Sequence, residues 1–381
     1  LKILYQANAP WLPTGYGIQS NYLVPGWQRL GHQVTIFAFD SLFLGSLNLG
    51  NVQILPTRGF GDRFGNEIID EYVRLLKPDV VITLMDVWVL KDYGKRGFRW
   101  VPWLPVDHDP VPKIVAEALE GAYLPIAYSR FGQRKLREVG IEAEYIPHGV
   151  DTKVYRPLPR EEARASLGLP QDAFIVGMVA ANVDYPSRKA FPQNMEAFAR
   201  FYRRHPEARL YLHCDLVPPR GRTAYNLIEL AEFLGIREAL LASDPTLRLL
   251  GFPPEQMALL YNSFDVLLAA SMGEGFGLPL IEAQACGTPV IATDFTSMTE
   301  LVKAGWLVRP KCKFLTNQIS YQAIPDIDSI EECLEAAYRA SASEEARERL
   351  RQKGRLFALV FDWELLIETK WRRLLENMER I

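Results

Sequence analysis

The chain has 381 residues, a length that suits two domains of ordinary size, and its 48% hydrophobic and 23% charged residues exclude a disordered or fibrous protein. A formal net charge of −3 excludes a general basic field for nucleic acid, so any anion site is local. Cys214, Cys286, Cys312 and Cys333 are scattered, with no CxxC pair and no clustered histidines, and this spacing suggests neither a disulfide framework nor a zinc site.

From Leu1 the chain runs straight into a strand-like pattern without the apolar stretch of a signal peptide, and no run approaches 18 uninterrupted apolar residues. A cytoplasmic protein is therefore expected. Short apolar runs at 3–7, 34–39, 79–84, 100–106, 124–128 and 144–147 alternate with longer amphipathic ones, the rhythm of βαβ units around a parallel sheet. Ser129 predicts a helix N-cap and Gly140 the end of the same helix. The loops 60–63 and 88–99 are irregular. Turn-rich text at 149–159 marks a crossing, after which a second cycle begins. Strands are predicted at 174–179, 209–213, 247–250, 266–269 and 289–292, and helices at 191–205, 224–234, 255–262 and 278–285. Residues 307–328 show no periodicity, and helices follow at 329–340, 344–360 and 362–379.

The most informative stretch runs from Gly273 to Thr293. Gly273, Gly275 and Gly277 form a loop whose backbone can approach a ligand closely, and a helix follows at once, with Pro279 in its first turn and Gly287 and Pro289 at its end. Free amides and the positive end of the helix dipole suit a phosphate. Glu274 and Glu282, eight residues apart, suit hydroxyl donors such as those of sugar and ribose. The plainer reading is a turn followed by a dipole-stabilising acid.

This string resembles the signature of the retaining glycosyltransferases of family 4: an acid, seven intervening residues, a second acid, then a small-residue helix and the Gly287-Thr288-Pro289-Val290-Ile291 strand entry. Residues 146–157 resemble that family's interdomain crossing, 127–131 the strand-to-helix segment before it, and Asp362-Trp363-Glu364 the start of its last helix. The resemblance implies a GT-B architecture: two doubly wound Rossmann-like domains facing a central cleft, with a C-terminal helix returning to the first domain. The implied division is 1–151 plus 362–381 on the acceptor side and 152–361 as the nucleotide-sugar domain. The implied activity is metal-independent transfer, with retention, of a hexosyl-type sugar from a UDP-, GDP- or ADP-sugar, with no cofactor.

In the roles that the resemblance implies, Glu282 binds the ribose hydroxyls and Glu274 the donor sugar. Gly275 lies in the donor loop, and the amides around Phe276, Gly277 and Leu278 hold sugar hydroxyls and the distal phosphate. Lys189 matches a lysine that neutralises the departing diphosphate. The family's arginine falls near Asn182, a departure for which adjacent Arg188 is the candidate substitute. Gly15 and Gly17, where the first strand turns into the first helix, approach the donor phosphate or the acceptor. His108 matches a histidine beside the anomeric carbon, with Asp107 and Asp109 as neighbours of open role. The acceptor is a carbohydrate, a lipid-linked or another hydroxyl compound, not a nucleic acid. Arg130, Arg134, Lys135 and Arg137 lie on or near one helix, for which a solvated face is favoured over membrane contact. Two rival readings are a catalytically inactive nucleotide-sugar-binding protein, to which the Asn182 departure points, and another GT-B enzyme such as a sugar-nucleotide epimerase or a phosphorylase.

Overall fold

The computed structural model describes residues 1–42, 45–57, 61–218 and 223–380. The chain divides into two compact units, one of Leu1–Gly149, Asn317–Ser320 and Phe361–Ile381, the other of Val150–Thr316 and Tyr321–Val360. Among the described residues no helix is long and apolar enough to cross a membrane. Of the loop expected at 60–63, Phe60 lies outside the described residues, while Arg63 pairs with Asp40 at 2.6 Å.

The first unit is built on eight strands: β1 (Lys2–Asn8), β2 (Gln33–Phe39), β3 (Leu47–Leu49), β4 (Val52–Pro56), β5 (Val80–Leu84), β6 (Trp100–Leu104), β7 (Ile126–Ala127) and β8 (Glu144–Tyr145). Their order is β3-β4-β2-β1-β5-β6-β7-β8, parallel throughout except for β3 against β4. β5 and β6 are buried at every residue, as expected of parallel strands covered on both faces. The edge pair β3 and β4 was not expected. β3 is three residues long and wholly exposed, so it carries no burial pattern to read.

Ser129 does cap its helix, Arg130–Glu138, by accepting from the Gly132 amide, and Gly140 takes the left-handed conformation beyond it. The segment expected as one helix at 362–379 is instead three pieces: Trp363–Leu366, a π-helical stretch Ile367–Trp371, and Arg372–Glu379. The reason is packing. Ile367 fills the space that a side chain at Gly26 would occupy, and Trp371 meets the rings of Trp27 and Trp103 at 4.9 and 5.2 Å. A wider turn brings both residues onto the buried face. Gly149 similarly leaves room for the Trp363 ring, which a Cβ would meet at 2.4 Å.

The second unit has a parallel six-stranded sheet of β9 (Phe174–Val179), β10 (Ala208–His213), β11 (Leu240–Ala242), β12 (Val266–Ala269), β13 (Val290–Thr293) and β14 (Gly305–Val308), in the order β11-β10-β9-β12-β13-β14. The direction of strand addition reverses between β9 and β12. Residues 247–250, expected as a strand, lie in a helix, Pro245–Leu250. Asp244 accepts from the amides of Thr246 and Leu247, and Pro245 opens the first turn; these local starts override the apolar run. The sheet takes the earlier β11 instead. The aperiodic stretch after residue 307 holds the end of β14 and an antiparallel hairpin of β15 (Pro310–Leu315) and β16 (Tyr321–Pro325). β15 is mostly exposed on both faces and so shows no alternation.

A buried ion cluster ties this unit's first strand to the segment before β12. Asp265 accepts from the Ile175 amide at 2.7 Å, from Arg164 at 2.7 Å and from Arg160 at 2.5 Å. Arg164 also donates to the carbonyls of Ser263, Gln171 and Ala173.

Candidate functional site

β9 leads through a loop to the helix Phe191–Tyr202, and β12 leads through the glycine-rich loop to the helix Leu278–Ala285. The two strands are neighbours, with Val266 opposite Val176, so both loops leave the carboxyl edge of the sheet at its switch point, the place where open α/β sheets bind ligands. The loops are stitched together. The Met272 amide donates to the Arg188 carbonyl at 2.8 Å, and Asn194 donates to the carbonyls of Lys189 and Ala270, both at 3.1 Å.

Lys189, Arg188 and Glu274 meet at this junction. Lys189 Nζ is 2.5 Å from one Glu274 oxygen, and Arg188 donates to the other at 3.0 Å and to the Gly273 carbonyl at 2.7 Å. Burial alone would raise the Glu274 carboxyl, but Lys189 and then Arg188 outweigh it and hold the group at about 2. Burial lowers Lys189, against the pull of Glu274. The three side chains are 12 to 32% exposed, enough for a ligand to reach them. Two cations share one carboxylate just before the helix entry.

Gly275 and Phe276 are buried, and Gly277 stands before Leu278 with φ 121°, a conformation that favours glycine. Gly277, at the N-cap, has no side chain to cap this helix, and the Leu280 amide donates to the Gly277 carbonyl at 2.9 Å. The loop is held from behind. The Glu274 amide donates to Thr296 Oγ1 at 3.0 Å, and the Ser297 hydroxyl donates to the carbonyls of Glu274 and Phe276 at 2.8 and 2.5 Å. Thr296 and Ser297 were not singled out by the sequence; their signal is their place just past β13, the strand beside β12.

Glu282 lies deeper in the same helix, only 7% exposed, and accepts from the Tyr261 hydroxyl at 2.6 Å. Burial raises its carboxyl to about 7 despite that hydrogen bond. The helix is fixed by Gln284, which donates to Leu280 and Leu301 and accepts from the amides of Lys303 and Ala304, and by Arg355, which donates to the Ala285 carbonyl. Asn182 is buried and spends its amide group on the carbonyls of Asp215 and Tyr225 at 3.0 and 2.7 Å. That position therefore ties loops together and supplies no cation.

Gly15, Gly17 and His108 belong to the first unit. Thr14 caps the helix Gly15–Arg29 by accepting from the Gly17 amide at 3.0 Å. A Cβ on Gly17 would stand 2.3 Å from the Leu12 carbonyl oxygen, so Gly17 is needed for backbone packing, whereas Gly15 is exposed. His108, past the end of β6, is buried, with Nδ1 2.7 Å from Asp107. Asp109 pairs with Lys135 at 2.9 Å. Of the expected residues, then, Arg188, Lys189 and Glu274 touch; Gly275 through Leu278 continue their loop; Glu282 is bound to Tyr261 instead; and the first unit holds the remainder.

A parallel sheet with a glycine-rich helix entry and paired cations at its switch point is an arrangement that suits an anionic ligand. The chain belongs to the glycosyl transferases group 1 family, whose family model matches residues 159–357, just over half its length. It is 32% identical over 164 residues to D-inositol 3-phosphate glycosyltransferase of Acidothermus cellulolyticus, covering 42% of this chain and 35% of that one. It is 36% identical over 165 residues to the enzyme of that name from Nocardia farcinica, covering 42% and 34%. The chain thus spans about a third of the length of the curated relatives it matches. Among solved structures it is similar to sucrose-phosphate synthase from Thermosynechococcus elongatus, with a TM-score of 0.78, 19% identity and 100% of both chains covered. It is also similar to Anabaena HepE in complex with UDP-glucose, with a TM-score of 0.71, 17% identity and 100% of both chains covered. At these identities the likeness is one of fold, and that fold is GT-B.

Proposed function

We propose that the protein is a glycosyltransferase that moves a sugar, with retention and without a metal, from a nucleoside diphosphate to a hydroxyl acceptor. The observation that carries this reading is the contact of Lys189 and Arg188 with Glu274 beside the uncapped entry of the Leu278–Ala285 helix. In this reading the second unit, expected to span 152–361, takes the donor, and the first, expected as 1–151 plus 362–381, takes the acceptor. The bond from the anomeric carbon to the diphosphate oxygen breaks as the acceptor oxygen forms its own on the same face. The acceptor proton passes to the leaving phosphate. Charge grows on that phosphate in the transition state, where Lys189, Arg188 and the helix amides stabilise it most. Glu274 orients the two cations and accepts from sugar hydroxyls; Glu282 accepts from the ribose. His108, oriented by Asp107, stands on the acceptor side with Gly15. A UDP-sugar is the donor to try first, since a protein of like fold was crystallised with UDP-glucose. The four cysteines are free thiols, three of them buried, which suits a cytoplasmic protein. An inactive nucleotide-sugar-binding protein is the second reading, favoured by Asn182 standing where the family's arginine is expected.

Glu282 supplies the test. Its folded carboxyl is raised from 4.5 to about 7, so the folded chain holds that proton more tightly than the unfolded one. The stability this gives is full below the ordinary value and is lost as pH rises through about 7. Glu282→Gln is expected to flatten this fall in melting temperature. Nucleotide binding needs the charged carboxylate, so the wild type should show a thermal shift with one of UDP, GDP or ADP that grows as pH rises through about 7. Glu282→Gln should lose most of it. An equal shift in both proteins removes Glu282 from the ribose role.

A further inference from the structure

The stretch between β6 and the helix Lys113–Ala118 carries His108, and its backbone is poorly equipped to hold it. Pro105, Pro110 and Pro112 have no amide hydrogen to give, so residues 105–112 cannot be pinned by a full backbone ladder and depend on side chains for their position. Two ties come from nearby chain: His108 to Asp107, and Asp109 to Lys135. Another comes from 210 residues away. The Ser320 hydroxyl donates to the Pro110 carbonyl, and Ser320 is only 1% exposed.

Asn317–Ser320, in the turn between β15 and β16, belongs to the first unit although both strands belong to the second. The turn is strained. Ile319 has φ 54°, in the left-handed region that a β-branched side chain rarely takes, and that side chain is 78% exposed, so no burial of its own offsets the strain. A turn needed only to close a hairpin would use glycine or asparagine there. Strain of this kind persists where the surroundings enforce it, and it gathers at functional sites. Here the residue it serves is the next one, Ser320, set against the carbonyl two residues past His108. We propose that Ser320 is a positioning residue: the tip of the β15–β16 hairpin fixes the stretch that carries His108 and so sets where that imidazole stands for transfer. This rests on the transferase reading above and adds to it a residue outside the sites already described.

The test has two readouts: kcat and KM for turnover of UDP-, GDP- or ADP-glucose, and the imidazole signals of His108 in NMR spectra of histidine-labelled protein, assigned with His108→Gln. Ser320→Ala should lower kcat by about tenfold or more while KM for the donor stays within about twofold, and it should shift the His108 signals. Ser320→Thr keeps the hydroxyl and should recover much of the rate. Ile319→Gly suits a left-handed turn and should match the wild type in both readouts. The proposal is overturned if kcat of Ser320→Ala stays within about threefold of the wild type, or if the His108 signals do not move. It is overturned likewise if the signals of His32 and His148 shift as much as those of His108, the mark of a general loosening of the unit. A wild type that turns over no donor removes the transferase reading and the role in transfer together, whereas unmoved His108 signals beside an active wild type remove the positioning role alone.

Discussion

Lys189→Ala is expected to lower turnover of the proposed nucleotide-sugar donor by about 100- to 1000-fold, the usual effect of removing one group that stabilises charge in a transition state. The loss should fall on kcat more than on KM, since the interaction strengthens as the diphosphate departs. Lys189 sits 2.5 Å from Glu274, in a loop pinned through Asn194 and the Met272 amide, so the ammonium is already positioned before the donor arrives. Lys189→Arg should retain part of the rate, because charge is kept while the geometry changes. Steady-state kinetics on the three proteins is the check. An alanine variant within about threefold of the wild type in kcat would show that the lysine is only a partner of Glu274, a loss too small for transition-state stabilisation.

Asp265→Ala should destabilise the second unit by about 3–5 kcal/mol, because it leaves the buried guanidinium of Arg164 without its counter-charge. Both side chains are under one-tenth exposed, burial already lowers Arg164, and the carboxylate also holds the Ile175 amide at the start of β9. In a unit of this size the melting temperature should drop by roughly 6–20 °C. Replacing the pair together, as Asp265→Leu with Arg164→Met, should recover much of the loss, since no charge is then left buried. Thermal unfolding of the single and double variants decides between these outcomes. A single variant that melts with the wild type would mean that the cluster contributes nothing net.

The parts of the fold legible in the sequence were those whose local and global signals agree. β9, β12 and the Leu278–Ala285 helix fall where apolar runs and glycine or proline boundaries set them, because their residues are buried on all sides. The helix at 245–250 was misread as a strand because its leucines form a short apolar run, while Asp244 and Pro245, which start it, act through backbone hydrogen bonds that composition hides. The π-helical stretch at 367–371 answers to Gly26 and to Trp27 and Trp103, hundreds of residues earlier, so no local pattern announces it. The site follows the same rule. Glycines and acids of the 273–277 loop and the helix after it were readable as one string, but the bond from Arg188 and Lys189 to Glu274 joins residues 86 and 85 positions apart. The burial of Glu282 against Tyr261, and the work of Thr296 and Ser297 behind the loop, likewise depend on strand order.

In the proposed reaction a nucleoside diphosphate leaves a sugar. The test is to incubate the protein with UDP-, GDP- and ADP-glucose, with and without neutral trisaccharides of glucose, mannose and galactose, and to follow nucleoside diphosphate release and product configuration by NMR. Release is expected from one of the three donors, faster with a saccharide present, with a product that keeps the donor's anomeric configuration. Nucleotide binding without any release would support the inactive binding protein instead, and an inverted product would contradict the retaining mechanism.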